Sequence, residues 1–153
     1  MLPTPKRFTL VAGSGEGNTP LTAFDSALLN AGAGNLNLIK VSSILPPQAQ
    51  YDPNLSIPPG SIVPTAFGAI SSSKPGEIIT AAVAVGIPEE DTFGVIMEHS
   101  GHYPKDEIEK QIKNMVMEAS SFRGIPLREI KIAAAEQKVK SCASVFAGLL
   151  LWY

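Results

Sequence analysis

Cysteine is almost missing from this chain, with Cys142 alone among 153 residues. An internal disulfide is therefore impossible, as is any site built on several thiolates. A lone thiol fits a reducing, cytoplasmic compartment. Histidine is nearly as scarce: His99 and His102 are the only two, too few for an ordinary zinc centre, and no metal is expected. Charged residues make up 17% of the chain and the formal net charge is −2. That balance leaves no electrostatic footprint for nucleic acid. The longest apolar stretch, residues 145–153, is far too short to span a bilayer and reads as a buried C-terminal strand. No signal peptide is visible behind the first seven residues, and no membrane association is expected.

What is present is a 44% hydrophobic chain the size of one ordinary domain. Its low charge density suits an oligomer. Residues 8–12 read as a strand and the glycine-rich residues 13–17 as a turn. Thr19 is a good N-cap and Pro20 a good first helical residue, so a helix should run to about Asn30 and stop at Gly32 and Gly34. Residues 36–41 alternate as a strand. Residues 44–60 are proline-rich and predict loop. Residues 62–71 and 77–87 read as the arms of a hairpin, and residues 93–98 as a strand. Residues 105–123 form the clearest helix, with Ile108, Ile112, Met115, Val116, Ala119 and Phe122 on one stripe and Gly124 at its end. Residues 127–139 and 142–152 close the chain as strands. Two helices and some seven strands predict an α+β fold, a four-layer αββα sandwich with two sheets back to back and a helix on each outer face. The whole of residues 1–153 forms one domain.

Four places are candidates for chemistry. The turn at residues 13–17 sits where phosphate loops sit, but no Gly-Lys-Ser/Thr follows and Glu16 would repel a phosphate. A plain turn is the better reading. Asp25 shares an i, i+3, i+4, i+7 stripe with Leu21, Phe24 and Leu28, which places a carboxylate on an apolar helix face. It calls either for a salt bridge within the protein or for a cationic ligand, and a guanidinium suits it geometrically. Glu98 ends an apolar strand, a setting that favours the protonated carboxyl a proton donor needs; the alternative is a strand-end glutamate in water. His99 and His102 beside it carry no assigned role. Ser42-Ser43 follows a strand and precedes Pro46-Pro47, which fix the exit path. A pinned peptide bond of this kind suits attack by a neighbouring serine, although a Ser-Ser pair alone is ordinarily a turn.

These features come together in a resemblance. Residues 11–47, VAGSGEGNTPLTAFDSALLNAGAGNLNLIKVSSILPP, resemble the N-terminal half of the pyruvoyl-dependent arginine decarboxylases. VPTAFG at 63–68, VIMEHSG at 95–101 and the ending LWY are similar as well. The resemblance implies that Ser43 Oγ attacks the Ser42 carbonyl and that the bond between Ser42 and Ser43 is cut. Ester formation by N-to-O acyl shift is followed by elimination, which frees a β chain, 1–42. Hydration and loss of ammonia then turn residue 43 into the pyruvoyl group that caps an α chain, 43–153. It implies that Asn37 assists processing, although a strand asparagine satisfied by backbone is the simpler role. It implies that the covalent pyruvoyl group withdraws electrons as pyridoxal phosphate does elsewhere, so no PLP is needed. Glu98 then donates the proton and Asp25 receives the guanidinium of L-arginine, giving agmatine and CO2. It also implies a homotrimer with active sites between subunits. A pyruvoyl decarboxylase of another amino acid, or an uncut oligomeric binding protein of this fold, are the alternatives.

Overall fold

A computed structural model describes all of residues 1–153. In chain order the elements are β1 (Arg7–Glu16), α1 (Pro20–Ala31), β2 (Asn37–Lys40), β3 (Ile44–Leu45), β4 (Gln50–Tyr51), β5 (Ile62–Ser72) and β6 (Ile78–Pro88), followed by β7 (Gly94–Gly101), α2 (Lys105–Phe122), β8 (Leu127–Lys138) and β9 (Ala143–Trp152). One sheet has the order β2-β5-β9-β1-β4, the other β3-β7-β6-β8. The sheets stack face to face, with α1 outside the five-stranded sheet and α2 outside the four-stranded one. This is the expected αββα sandwich. No helix is long and apolar enough to cross a membrane.

Period-two alternation explains the layering. On β6, Ile79, Ala81, Val83, Val85 and Ile87 enter the core between the sheets, while Ala82 and Ala84 turn outward under Ile108, Ile112 and Val116 of α2. Both faces are covered, so β6 is buried from Ile79 to Ile87. Its partner layer is β9, which sends Ala143, Val145, Ala147, Leu149 and Leu151 into the same core. Phe146 points the other way, between Phe24 of α1 and Phe67 of β5.

The helix ends follow the sequence signals. Thr19 and Thr22 form a capping box, Pro20 opens α1, and Gly32 closes it at φ 86°. Gly124, at φ 63°, follows α2. On α2 the expected stripe holds for Ile108, Ile112, Val116 and Ala119, but Phe122 is 77% exposed because it lies in the last turn, beyond the sheet.

The glycine-rich segment is not a turn. Gly13 and Gly15 lie inside β1, paired with Phe146 and Ser144 of β9. They leave room for α1: a Cβ on Gly13 would stand 2.5 Å from the Ala31 amide nitrogen, and one on Gly17, just past the strand, 2.5 Å from that of Ala23. Ala23, Ala27 and Ala31, spaced by four, are the helix face laid on this glycine track. The hairpin is also absent. β5 pairs with β2 and β9, β6 with β7 and β8, so the connection at 73–77 carries the chain between sheets. Turn composition cannot distinguish such a crossing from a hairpin. The proline-rich 44–60 loop contains the short β3 and β4.

Glu16 has a structural task. Its carboxylate accepts backbone N–H bonds from Lys140 (2.9 Å), Ser141 (3.0 Å) and Cys142 (3.1 Å), and one from Gln137 Nε2 (3.1 Å). The bonds from Lys140 and Ser141 do most to hold its pKa down at about 2. The ionised form is thus bound better in the fold than in the unfolded chain. Its stabilisation is complete above pH 4.5 and lost as the pH falls toward about 2. Thermal melts should therefore show Glu16→Gln destabilised at neutral pH, with the gap to wild type closing over that range. Gly13→Ala should cost about 1–3 kcal/mol in denaturant unfolding, since overpacking against a helix backbone outweighs the ~0.4–1 kcal/mol gained from a stiffer unfolded chain.

Candidate active site

The Ser42-Ser43 pair is where the chain steps from one sheet to the other. Before it, Val41 N donates to Thr65 O at 3.1 Å, continuing the parallel β2–β5 pairing. After it, Ile96 N donates to Ser43 O at 2.8 Å, and Ile44 and Leu45 pair with Val95 and Gly94 of β7. The scissile candidate thus has one anchor on each sheet. Ser42 is exposed and lines a cleft of about 280 Å³ with Leu2, Pro5, Pro64 and Tyr153. Ser43 is half-buried.

Glu98 lies two residues beyond Ile96 on β7, on the same face and roughly 7 Å further along. It points between the sheets toward Gly68 of β5, where a Cβ would stand 3.4 Å from Glu98 Cβ. Strands β5, β6 and β9 contain no ionisable residue, so this carboxyl faces apolar walls. Burial pushes its pKa up; the charge of Lys40 opposes that shift. His99 turns to the other face and bonds Gln111 at 2.8 Å. His102 meets Ile78 O and Glu77, each at 3.2 Å.

Lys40, whose charge opposes the burial shift of Glu98, carries no role in the sequence reading. It ends β2, three positions before Ser43, and its Nζ lies 4.9 Å from the centroid of the Phe67 ring. Its ring partner Phe67, which packs with Phe146 on the α1 side of the sheet, is distant in sequence.

Two expected residues lie elsewhere in the chain. Asp25 is exposed, not on the buried face of α1. The alanine track of α1 faces the sheet and turns the stripe of Leu21 and Asp25 outward; Leu21 is 76% exposed. Asp25 has no salt bridge within the chain. The five-stranded sheet separates it from Glu98. Asn37 opens β2 and donates its Nδ2 to Gly60 O at 2.9 Å. Six residues of extended chain hold it roughly 20 Å from Ser43. The chain therefore brings Ser43 and Glu98 to the same strand pairing, and carries Asp25 and Asn37 apart from them.

Comparisons with known proteins agree with the resemblance. The family model described as pyruvoyl-dependent arginine decarboxylase matches residues 7–151. A protein of Methanocaldococcus jannaschii with that name is 48% identical over 150 residues, covering 97% of this chain and 91% of its own. One from Thermococcus sibiricus is 45% identical over 154 residues, covering 98% of each chain. A solved pyruvoyl-dependent histidine decarboxylase shares the fold at a TM-score of 0.51 and 14% identity, over 63% of this chain and 52% of that one. A match across nearly every element of the sandwich, including the crossing between its sheets, has one meaning: the chain belongs to the pyruvoyl-dependent arginine decarboxylase family.

Proposed function

We propose that this chain cuts itself between Ser42 and Ser43 and, as a pyruvoyl enzyme, decarboxylates L-arginine to agmatine and CO2. The observation that carries the reading is the two-sided anchoring of the serine pair beside Glu98. Ser43 Oγ attacks the Ser42 carbonyl carbon, and the peptide C–N bond breaks as the ester forms. Loss of the Cα proton and cleavage of the Oγ–Cβ bond release residues 1–42 with a carboxylate at Ser42. Water addition at Cα and departure of ammonia complete residue 43. Because Val41 is held by Thr65 and Ser43 by Ile96, the new ends stay on their own sheets.

The surroundings of Ser43 fit a small covalent carbonyl group. Ser43 is half-buried, and its own carbonyl is fixed and polarised by the Ile96 N–H. When present, the pyruvoyl group supplies the electron sink for loss of CO2. Glu98 holds the proton that the substrate α-carbon needs, and its apolar setting keeps that proton on to higher pH than an ordinary glutamate would. Asp25, exposed and unpaired, receives the guanidinium. Since Asp25 and Asn37 stand apart from Ser43 within one protomer, their roles are exercised across a subunit contact, in a homotrimer whose neighbours complete each other's sites. The single buried thiol of Cys142 suits a cytoplasmic enzyme.

Ser43→Ala should remain a single chain by intact mass and release no CO2 from labelled arginine. An alanine variant that still splits would sink the cleavage assignment. Glu98→Gln should still split but lose kcat by about 10²–10⁴-fold. Asp25→Asn should lower kcat/KM for arginine by about one to three orders of magnitude, mainly through KM. Unchanged turnover would remove arginine as the assigned substrate.

A further inference from the structure

We propose that the cleft between α2 and β8 binds a medium-length aliphatic hydroxycarboxylate, held at its charged end by Lys113, along its chain by Met117, Leu127 and Ile130, and at its hydroxyl end by Ser120. The cleft has a volume of about 480 Å³, within the range that small-molecule sites occupy. It lies on the outer face of the four-stranded sheet and shares no residue with the surroundings of Ser42, Ser43 and Glu98. It is therefore independent of the chemistry proposed there.

The cleft follows from how α2 ends. The helix stops at Phe122, Gly124 reverses the chain at φ 63°, and β8 begins at Leu127 as the edge strand of its sheet. Lys113, Met117 and Ser120 recur at i, i+4 and i+7, so they share one side of the helix. Leu127 and Ile130 make the facing wall and rest on the Ile108, Ile112 and Val116 cluster. The middle of the cleft is thus apolar, and its polar groups stand at defined places along it.

Two of those groups lack partners. Ser120 is 2% exposed, and its Oγ is the one buried side-chain oxygen or nitrogen in the protein with no hydrogen bond. Its carbonyl is satisfied by the N–H groups of Arg123 (3.2 Å) and Ile125 (3.0 Å); its hydroxyl is not. Leaving a buried hydroxyl unpaired is costly. Ser120 lines the cleft, and rotation about χ1 is all its hydroxyl needs to meet a polar atom that enters. Lys113 forms no ion pair, whereas Glu129 on the strand side is held by Lys131 at 3.6 Å. The uncompensated charge of the cleft is therefore positive and selects an anion. Seven residues of helix place Lys113 and Ser120 about 10 Å apart along the axis, with Met117 between them. An occupant that serves both needs a carboxylate, an unbranched apolar middle and a hydroxyl at the far end.

The test is methyl-labelled methionine NMR of the protein as purified, following Met117, whose resonance is assigned by its loss in Met117→Leu. Titration with 8-hydroxyoctanoate should shift it saturably, and octanoate, which lacks the hydroxyl, should bind more weakly. Lys113→Met should weaken both acids by about two- to fivefold. Ser120→Ala should weaken 8-hydroxyoctanoate alone. The same substitution should raise the melting temperature of the free protein, since it deletes an unpaired buried hydroxyl. No saturable shift with either acid overturns the proposal, as does binding that neither Lys113→Met nor Ser120→Ala alters. A Ser120→Ala protein that melts below its parent shows the hydroxyl to be partnered within the fold, and overturns its assignment to a ligand.

Discussion

The middle of the interface between the two sheets is built by three strands that carry no ionisable side chain, and the site is arranged around that constraint. β5, β6 and β9 supply only small, aliphatic, aromatic and hydroxyl residues. They pack as an uninterrupted core from Phe8 to Leu151. A carboxyl admitted to such an interface is costly unless protonated or paired. Glu98 enters it only at the margin, under Gly68 and beside the edge where β2 hands the chain to β3. The same margin holds Ser42-Ser43. The backbone there is not free to wander, because the N–H of fully buried Ile96 takes its acceptor from Ser43. The proposed scissile bond and the proposed proton donor thus share one seam, at a margin where polar groups meet the core without full burial.

The outer layers show how tightly that plan is held. α1 lies on β1 as alanine over glycine, close enough that added Cβ atoms would meet helix backbone. This contact brings Phe24 down on Phe146, and Phe146 in turn braces Phe67, the ring beneath Lys40. A glycine track on one side of the sheet therefore has a consequence at its edge, through three aromatic rings.

What the sequence made legible was local. Thr19, Pro20, Gly32 and Gly124 mark helix ends by cap chemistry, which needs no distant partner. The apolar runs at 78–88 and 143–152 announce strands covered on both faces. What stayed hidden depends on residues far apart in the chain. Gly13 to Gly17 looked like a turn because the partner that demands glycine is a helix face, and only their two-residue spacing hinted at a strand. Residues 62–72 and 78–88 looked like a hairpin because composition cannot say that β9 claims one and β8 the other. Asp25 looked buried because Phe24 and Leu28 flank it, yet Ala23, Ala27 and Ala31 form the packed face. Glu16 takes its donors from residues 137–142, and no local pattern reveals such a partnership.

The separation of Asp25 and Asn37 from Glu98 bears on how the reaction is divided. If, as proposed, Asp25 receives the cationic end of a small substrate and Glu98 protonates its α-carbon, the two carboxylates must come within a few ångströms of the same ligand. Within one protomer the five-stranded sheet stands between them. Unfolding α1 to bridge the gap would break the glycine–alanine contact and expose the Phe24, Phe67 and Phe146 cluster. A second copy of the chain presenting its own Asp25 at the neighbour's seam would meet the proposed requirement without disturbing any packed layer. On that proposal subunit association would be part of the chemistry, since one chain alone would hold the proton donor and the substrate anchor on opposite sides of a sheet.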